Sequence, residues 1–235
     1  MPWTEGEASK ESREAQLSNW AQIFKNLFKV TILRSSLFLA VAFFIYGIMA
    51  GLVDTILPIF TIQELGWTNT SYSAVYSTTT IVAGLFGMFV GGALVDFFGK
   101  VRMMSIYLIF IVILIVSFAL LPSLWNNDKV IYGFVGMYYL AYTFLTIATF
   151  AAAMQLCWKT VSATQFTLFM AVSNIGRAFG AGLVGTLSER FNWNYVFIII
   201  ALTPFLTLIS IQFLNFKKHH DSIEKLETIS KGVSR

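Results

Sequence analysis

Six apolar stretches dominate the chain, at residues 36–60, 73–95, 103–121, 130–156, 165–187 and 195–215. A segment that crosses a hydrocarbon layer needs about 20 such residues, and it must be helical so that every backbone N–H and C=O finds a partner without water. Hydrophobic residues make up 57% of the sequence and charged ones only 12%, with a mean hydropathy of +0.71, whereas soluble domains carry about a quarter charged residues. The expected fold class is therefore an all-α integral membrane protein, multi-pass in a lipid bilayer. Its expected divisions are a terminal segment at 1–34, a six-helix domain at 35–216 and a tail at 217–235. The start of the chain carries Glu5, Glu7, Glu11 and Glu14 and does not read as a signal peptide. A single cysteine, Cys157, excludes an internal disulfide.

Lysine and arginine set the orientation. The termini and alternate loops hold Lys10, Arg13, Lys25, Lys29, Arg34, Lys100, Arg102, Lys159, Lys217, Lys218, Lys225, Lys231 and Arg235, against Lys129 and Arg190 on the other side. This bias places both termini in the cytoplasm. The net charge of +4 belongs to the same asymmetry, and no nucleic-acid partner follows from it. Ahead of the first span, Trp20, Ile23, Phe24, Leu27 and Phe28 recur at helical spacing with Lys25 and Lys29 among them, the pattern of a helix lying in the headgroup region. The tail is expected to be disordered, with His219 and His220 solvated.

Two charges interrupt the apolar spans. Arg177 lies near the middle of the fifth and Asp54 in the first; a charge at such a depth costs about 2.5–3.5 kcal/mol and marks a functional position by default. Counted from the outer span ends, the two differ in depth by ~6 Å, which a long side chain can bridge. Arg177 is thus either a bidentate site for an anionic group, the favoured reading, or half of an ion pair. Asp54 is its partner or a proton carrier. Asn174 and Ser173 precede Arg177 by about one turn. Tyr139, Tyr142, Thr143, Thr146 and Thr149 form a polar stripe on the fourth span, and Gly47, Ala50, Gly51, Asp54 and Pro58 share a face of the first. These three faces are the candidate substrate path.

The spans fall into two similar triplets. The second and fifth carry Gly-x-x-x-Gly pairs, Gly87/Gly91 and Gly176/Gly180, and end in related phrases around Asp96 and Glu189 on opposite sides. A 3+3 inverted repeat has this signature. The glycine-rich second and fifth spans are expected inside, and the uniformly apolar third and sixth against lipid. No His-Glu-x-x-His or Gly-x-Ser-x-Gly motif is present, so neither an enzyme nor a cofactor or metal is expected.

Gly91-Gly-Ala-Leu-Val-Asp96-Phe-Phe-Gly99-Lys100-Val-Arg102 resembles the loop signature of the major facilitator superfamily. That resemblance implies a conformational switch for Gly91, Asp96, Gly99, Lys100 and Arg102. Further on, Ser162-Ala-Thr-Gln165-Phe166, then Asn174-Ile-Gly176-Arg177, Gly185, Glu189 and Trp193, are similar to AmpG-type muropeptide permeases and their acetyl-coenzyme A transporter relatives. The resemblance implies that the spans match helices seven to twelve of a twelve-helix transporter, and that residues from Pro2 match its central cytoplasmic loop. It also implies proton-driven uptake of anhydromuropeptides in peptidoglycan recycling, at a bacterial inner membrane. Arg177, Asn174, Tyr142, Thr146 and Gln165 are the substrate-binding candidates. The chain departs from the enterobacterial pattern at Ala50, where an acid is expected, and at Tyr76 or Ser77, where a lysine is.

A cavity-facing stripe left against lipid would be costly. The expected partners are therefore an N-terminal six-helix half, separately encoded or lost from a fragment, or a second copy, together with a small polar or anionic solute. Acetyl-coenzyme A and siderophores are alternative solutes. A six-helix scaffold that transports nothing is the reading from another class.

Overall fold

The computed structural model describes residues 20–233. Helix α1 (Trp20–Thr31) precedes six long helices: α2 (Arg34–Ile59, continued by a π-helical turn at Phe60–Glu64), α3 (Asn69–Phe86, a π turn at Gly87–Gly91, then Gly92–Phe98), α4 (Lys100–Leu120), α5 (Asp128–Leu156), α6 (Ser162–Arg190) and α7 (Trp193–Gln212). A last helix, α8 (Phe216–Val233), closes the described chain. All six long helices are apolar and long enough to cross a membrane, and they coincide with the six stretches read from the sequence. Their boundaries have local causes. Thr68 Oγ1 caps α3 by accepting from Ser71 N at 3.0 Å, and Asn127 Oδ1 caps α5 by accepting from Lys129 N at 3.0 Å. Gly99, at φ +87°, makes the sharp reversal between α3 and α4 that a residue with a Cβ would resist.

Helix neighbours repeat with a two-fold logic. Helix α6 packs on α2 as α3 packs on α5, α7 packs on α2 as α4 packs on α5, and α4 and α7 pack on each other. Exchanging the first three spans for the last three maps this set of contacts onto itself, as an inverted repeat requires. At the end away from the termini, Phe60 is ringed by Phe118, Trp125, Trp193 and Phe197 with centroids 5.0–6.0 Å away, which plugs that end with aromatic packing.

The closest helix crossing joins α2 and α6. A Cβ placed on Gly47 or Gly51 would strike the backbone carbonyls of Ser173 or Arg177, and one on Gly176 or Gly180 would strike those of Phe44 or Ile48. The Gly47–Gly51 part of the face expected to belong to the substrate path is therefore filled by the backbone of α6. Gly87 and Gly91 of α3 also receive a neighbour, but it is the side chains of Thr143 and Ile147 of α5. Small residues let backbones approach because the interhelical distance is set by the side chains between them.

Several expectations are corrected. The glycine-rich α3 and α6 are the least enclosed spans, and α4 and α7 are better buried, because a glycine ridge needs only one partner and the opposite flank stays open. On α4, Met104, Leu108, Ile111 and Ile115 are buried while Ile106, Ile109 and Ile113 are exposed, so this uniformly apolar helix has one protein-facing side and one outward side. The tail is helical from Phe216 rather than disordered. His219 is 4% exposed, with Nε2 bonded to the Leu156 carbonyl at 2.8 Å. It is anchored by a packed platform: Val30 of α1, Trp158 and Val161 of the α5–α6 connection and Ile223 of α8 form one apolar cluster. Trp158 Nε1 donates to Glu227 Oε1 at 2.8 Å across the platform. On α1 the apolar face divides, since Val30 is buried there while Phe24 and Phe28 stay exposed.

Substituting alanine at Gly51 or Gly176 forces the backbones apart and is expected to lower stability by about 1–3 kcal/mol, beyond the roughly 0.5–1 kcal/mol that alanine gains as a helix former. Alanine at Gly182 or Gly185, where a Cβ meets open space, should be neutral or stabilising; thermal unfolding in detergent measures both. Burial holds His219 below its usual 6.5, against the opposing bond to Leu156, and His220 adds to the depression. The docked tail helix therefore binds fewer protons than the free one. Its docking is fully stable above 6.5 and weakens as pH falls from there toward the depressed value. Hydrogen exchange of α8 amides, corrected for intrinsic rates, should be faster at about pH 5.5 than at about pH 7.5, and His219→Gln should abolish the difference.

Candidate functional site

The α2–α6 crossing brings the two intramembrane charges together. Gly51 lies against the Arg177 backbone, Asp54 follows by just under one turn, and Arg177 Nη2 donates to Asp54 Oδ2 at 2.5 Å. The second carboxylate oxygen is also taken, since the Tyr139 hydroxyl of α5 donates to Asp54 Oδ1 at 3.0 Å. Pro58 has no N–H to offer the Asp54 carbonyl, so the backbone of α2 is weakened at the residue that carries the charge. Among the described residues this is the one ion pair.

Its two members sit differently. The Asp54 side chain is 22% exposed and that of Arg177 is 53% exposed, so the carboxylate is recessed and the guanidinium lies on an open face. The hydrogen bond to Asp54 uses Nη2 alone, and the other N–H groups remain available to a planar anionic group. The two sequence readings of Arg177, ion pair and anion site, are thus compatible in geometry.

Around the pair stands a cluster of tyrosines from three helices. Tyr46 of α2 stacks on Tyr142 of α5 at 5.3 Å and shares a 2.6 Å hydrogen bond with Thr146 Oγ1. Tyr138 stacks on Tyr142 at 6.0 Å. Tyr76 of α3 meets Tyr139 edge-on at 5.1 Å and stacks with Tyr72 at 6.1 Å. The hydroxyl of Tyr138 is buried without a partner. Sequence reading missed Tyr46, Tyr72 and Tyr138 as members of this site. The pairs Tyr72/Tyr76 and Tyr138/Tyr142, each four apart and so on one helix face, were the signal that pointed to it.

Other candidates separate. Thr143, Thr146 and Thr149 each donate to the carbonyl four residues back, on Tyr139, Tyr142 and Leu145, which satisfies the stripe within its own helix. Asn174 is exposed on α6, three residues before Arg177, and shares its open face. Gln165 does not belong to the site. It is fully buried, accepting from Trp158 N at 2.9 Å and donating to the Leu156 carbonyl and Ser36 Oγ at 3.4 Å, so it fastens the α5–α6 connection and has no surface for a solute. At the α3–α4 reversal, Gly91 is buried in the π turn while Asp96, Gly99 and Arg102 are exposed beside the half-buried Lys100. No ion pair among the described residues links Asp96 to Lys100 or Arg102.

The inverted three-helix repeats agree with comparison to known proteins. The family model of the Major Facilitator Superfamily matches residues 2–177 and again 39–233. The chain belongs to the Major Facilitator Superfamily. Over 170 residues, 69% of the chain, it is 29% identical to the anhydromuropeptide permease of Escherichia coli strain K12, and equally to that of strain O157:H7. The aligned part is 34% of those relatives' length, so the chain spans about a third of the curated permeases it matches. As a member of this family it is a multi-pass membrane protein of transporter type. Its charged centre lies at Asp54, one turn beyond the buried Ala50.

A double-mutant cycle tests the pair. Asp54→Asn and Arg177→Gln should each destabilise the protein, and the double variant by less than their sum. The expected coupling is about 1 kcal/mol, kept small because the guanidinium is half exposed. Thermal unfolding in detergent reads it, and fully additive losses would show that the contact contributes nothing.

Proposed function

We propose that the chain forms one six-helix half of a secondary active transporter that imports a polar or anionic solute. The observation that carries this reading is the Arg177–Asp54–Tyr139 cluster, with a guanidinium half exposed on an open face and its carboxylate partner recessed behind it. An arriving carboxylate or phosphate competes with Asp54 for Arg177 through the unused N–H groups. Asp54, left with Tyr139 as partner, is then neutralised by a proton, and this couples solute binding to the proton gradient. Solute and proton together thereby unlock α2 from α6.

The favoured solute is an anhydromuropeptide, on the strength of the similarity to permeases bearing that name. Acetyl-coenzyme A and siderophores are the alternatives that also offer anionic groups. The open flanks of α3 and α6 carry Ile81, Leu85, Phe86, Met88, Phe89, Ile175 and Phe179 exposed. A second six-helix half, or a second copy, covers them and completes the cavity. Asp96, Lys100 and Arg102 act in the switch between cavity states by contacts to that other half. The membrane is the bacterial inner membrane and both termini are cytoplasmic, as the lysine and arginine bias indicates. A non-transporting scaffold is the second reading, favoured by the ion pair itself, which would serve there only to hold helices together.

Uptake of labelled anhydromuropeptide decides between them. In cells lacking their own permease and supplying the complementary half, Arg177→Ala should lower uptake per inserted protein roughly 10- to 100-fold, the loss of one charged contact, well beyond any fall in membrane abundance. A scaffold predicts reduced abundance and no uptake in any variant.

A further inference from the structure

A second cationic site lies on the side of the bundle that carries the termini, away from Arg177. A cavity of about 420 Å³ opens between the first turn of α2 and the α7–α8 junction, with Arg34, Ser35, Asn215, Lys218, His219 and Ser222 in its wall. No carboxylate lines it, and neither Arg34 nor Lys218 is ion-paired among the described residues. Two cations held together without an acid repel each other, and an anion between them removes that cost.

The walls are fixed rather than fluid. Ser35 Oγ donates to the Asn215 carbonyl at 3.2 Å and accepts from Asn215 N at 3.2 Å, so one hydroxyl ties the start of α2 to the start of α8. At the start of α8, Asn215 Oδ1 caps the first turn by accepting from Lys218 N at 2.9 Å, which holds the Lys218 backbone at the cavity wall. The N-terminus of α2 has no side-chain cap, which leaves first-turn N–H groups to a ligand. His219, 4% exposed and bonded through Nε2 to the Leu156 carbonyl at 2.8 Å, is a fixed part of the cavity wall.

The position selects the source of the anion. Arg34 begins one membrane span and Gln212 ends another, so the cavity lies at headgroup depth. The Arg34 guanidinium rests 5.7 Å over the Phe38 ring, and Phe38 stacks on Phe213 at 4.7 Å. Beside this aromatic shelf, Leu37 and Phe213 are exposed, forming an apolar track that leads from the cations into the hydrocarbon. We infer that this cavity binds the phosphate of an anionic phospholipid, with Arg34 and Lys218 on the headgroup and the acyl chains along Leu37 and Phe213.

Native mass spectrometry of the detergent-purified chain tests this with phosphatidylglycerol, phosphatidylcholine and inorganic phosphate as probes. Phosphatidylglycerol should remain bound, phosphatidylcholine should bind far less, and millimolar inorganic phosphate should not displace the lipid. The Arg34→Gln, Lys218→Gln double variant should lose phosphatidylglycerol affinity by roughly thirtyfold. A Lys25→Gln, Lys29→Gln variant on α1 should retain it, as should Arg34→Lys. Unchanged helix content and elution volume establish that the variants are folded. Equal retention by the double variant and the parent, or equal binding of the two lipids, overturns the proposal. Displacement by inorganic phosphate overturns the lipid assignment and gives the site to a soluble phosphate compound.

Discussion

Two pairs of glycines hold α2 against α6 so closely that a single added methyl on any of them would meet the opposing backbone. In lipid there is no hydrophobic force between helices, so this contact rests on dispersion between surfaces that fit. It also sets a distance. Gly51 touches the Arg177 backbone, and Asp54, under a turn later, is thereby brought within reach of a guanidinium 123 positions away in the chain. Without that crossing each charge would be an isolated cost in the membrane. With it they neutralise each other and leave one edge of the arginine open.

The rest of the polar centre follows from the same geometry. Once α2 and α6 are locked, α5 lies across α2 so that Tyr139 reaches the free oxygen of Asp54 and Tyr142 stacks on Tyr46. Helix α3 completes the cluster through Tyr76, and its glycines accept the side chains of Thr143 and Ile147. The two repeats are therefore related in topology but not in chemistry. One crossing is backbone on backbone and carries the ion pair; the other is side chain on backbone and carries tyrosines. Such an arrangement can release one crossing without dissolving the other, as a two-state carrier needs.

Much of the fold was legible in the residues because membrane helices announce themselves by length and apolarity. The six spans, the repeat and the prominence of Asp54 and Arg177 needed only periodicity and the cost of burying charge. Other features were misread for a common reason: composition does not say which neighbour a face will find. Gly47 and Gly51 looked like part of a substrate path and are a helix crossing. Gln165 looked like a solute ligand beside Arg177 and is a buried fastener of the α5–α6 turn. His219 looked solvated because the tail is polar, yet α1 and Trp158 supply a platform from distant parts of the chain.

What the sequence by itself determined is the solvent, the number of spans, their inverted pairing and the presence of two charges at membrane depth, all properties of local pattern and hydration. Only the tertiary structure decided that those charges meet, that tyrosines from α2, α3 and α5 enclose them, and that Arg34 and Lys218 share a cavity. Such pairings depend on helix rotation and crossing distance. These are set by which small residues face each other across long separations in the chain, a relation that no single segment contains.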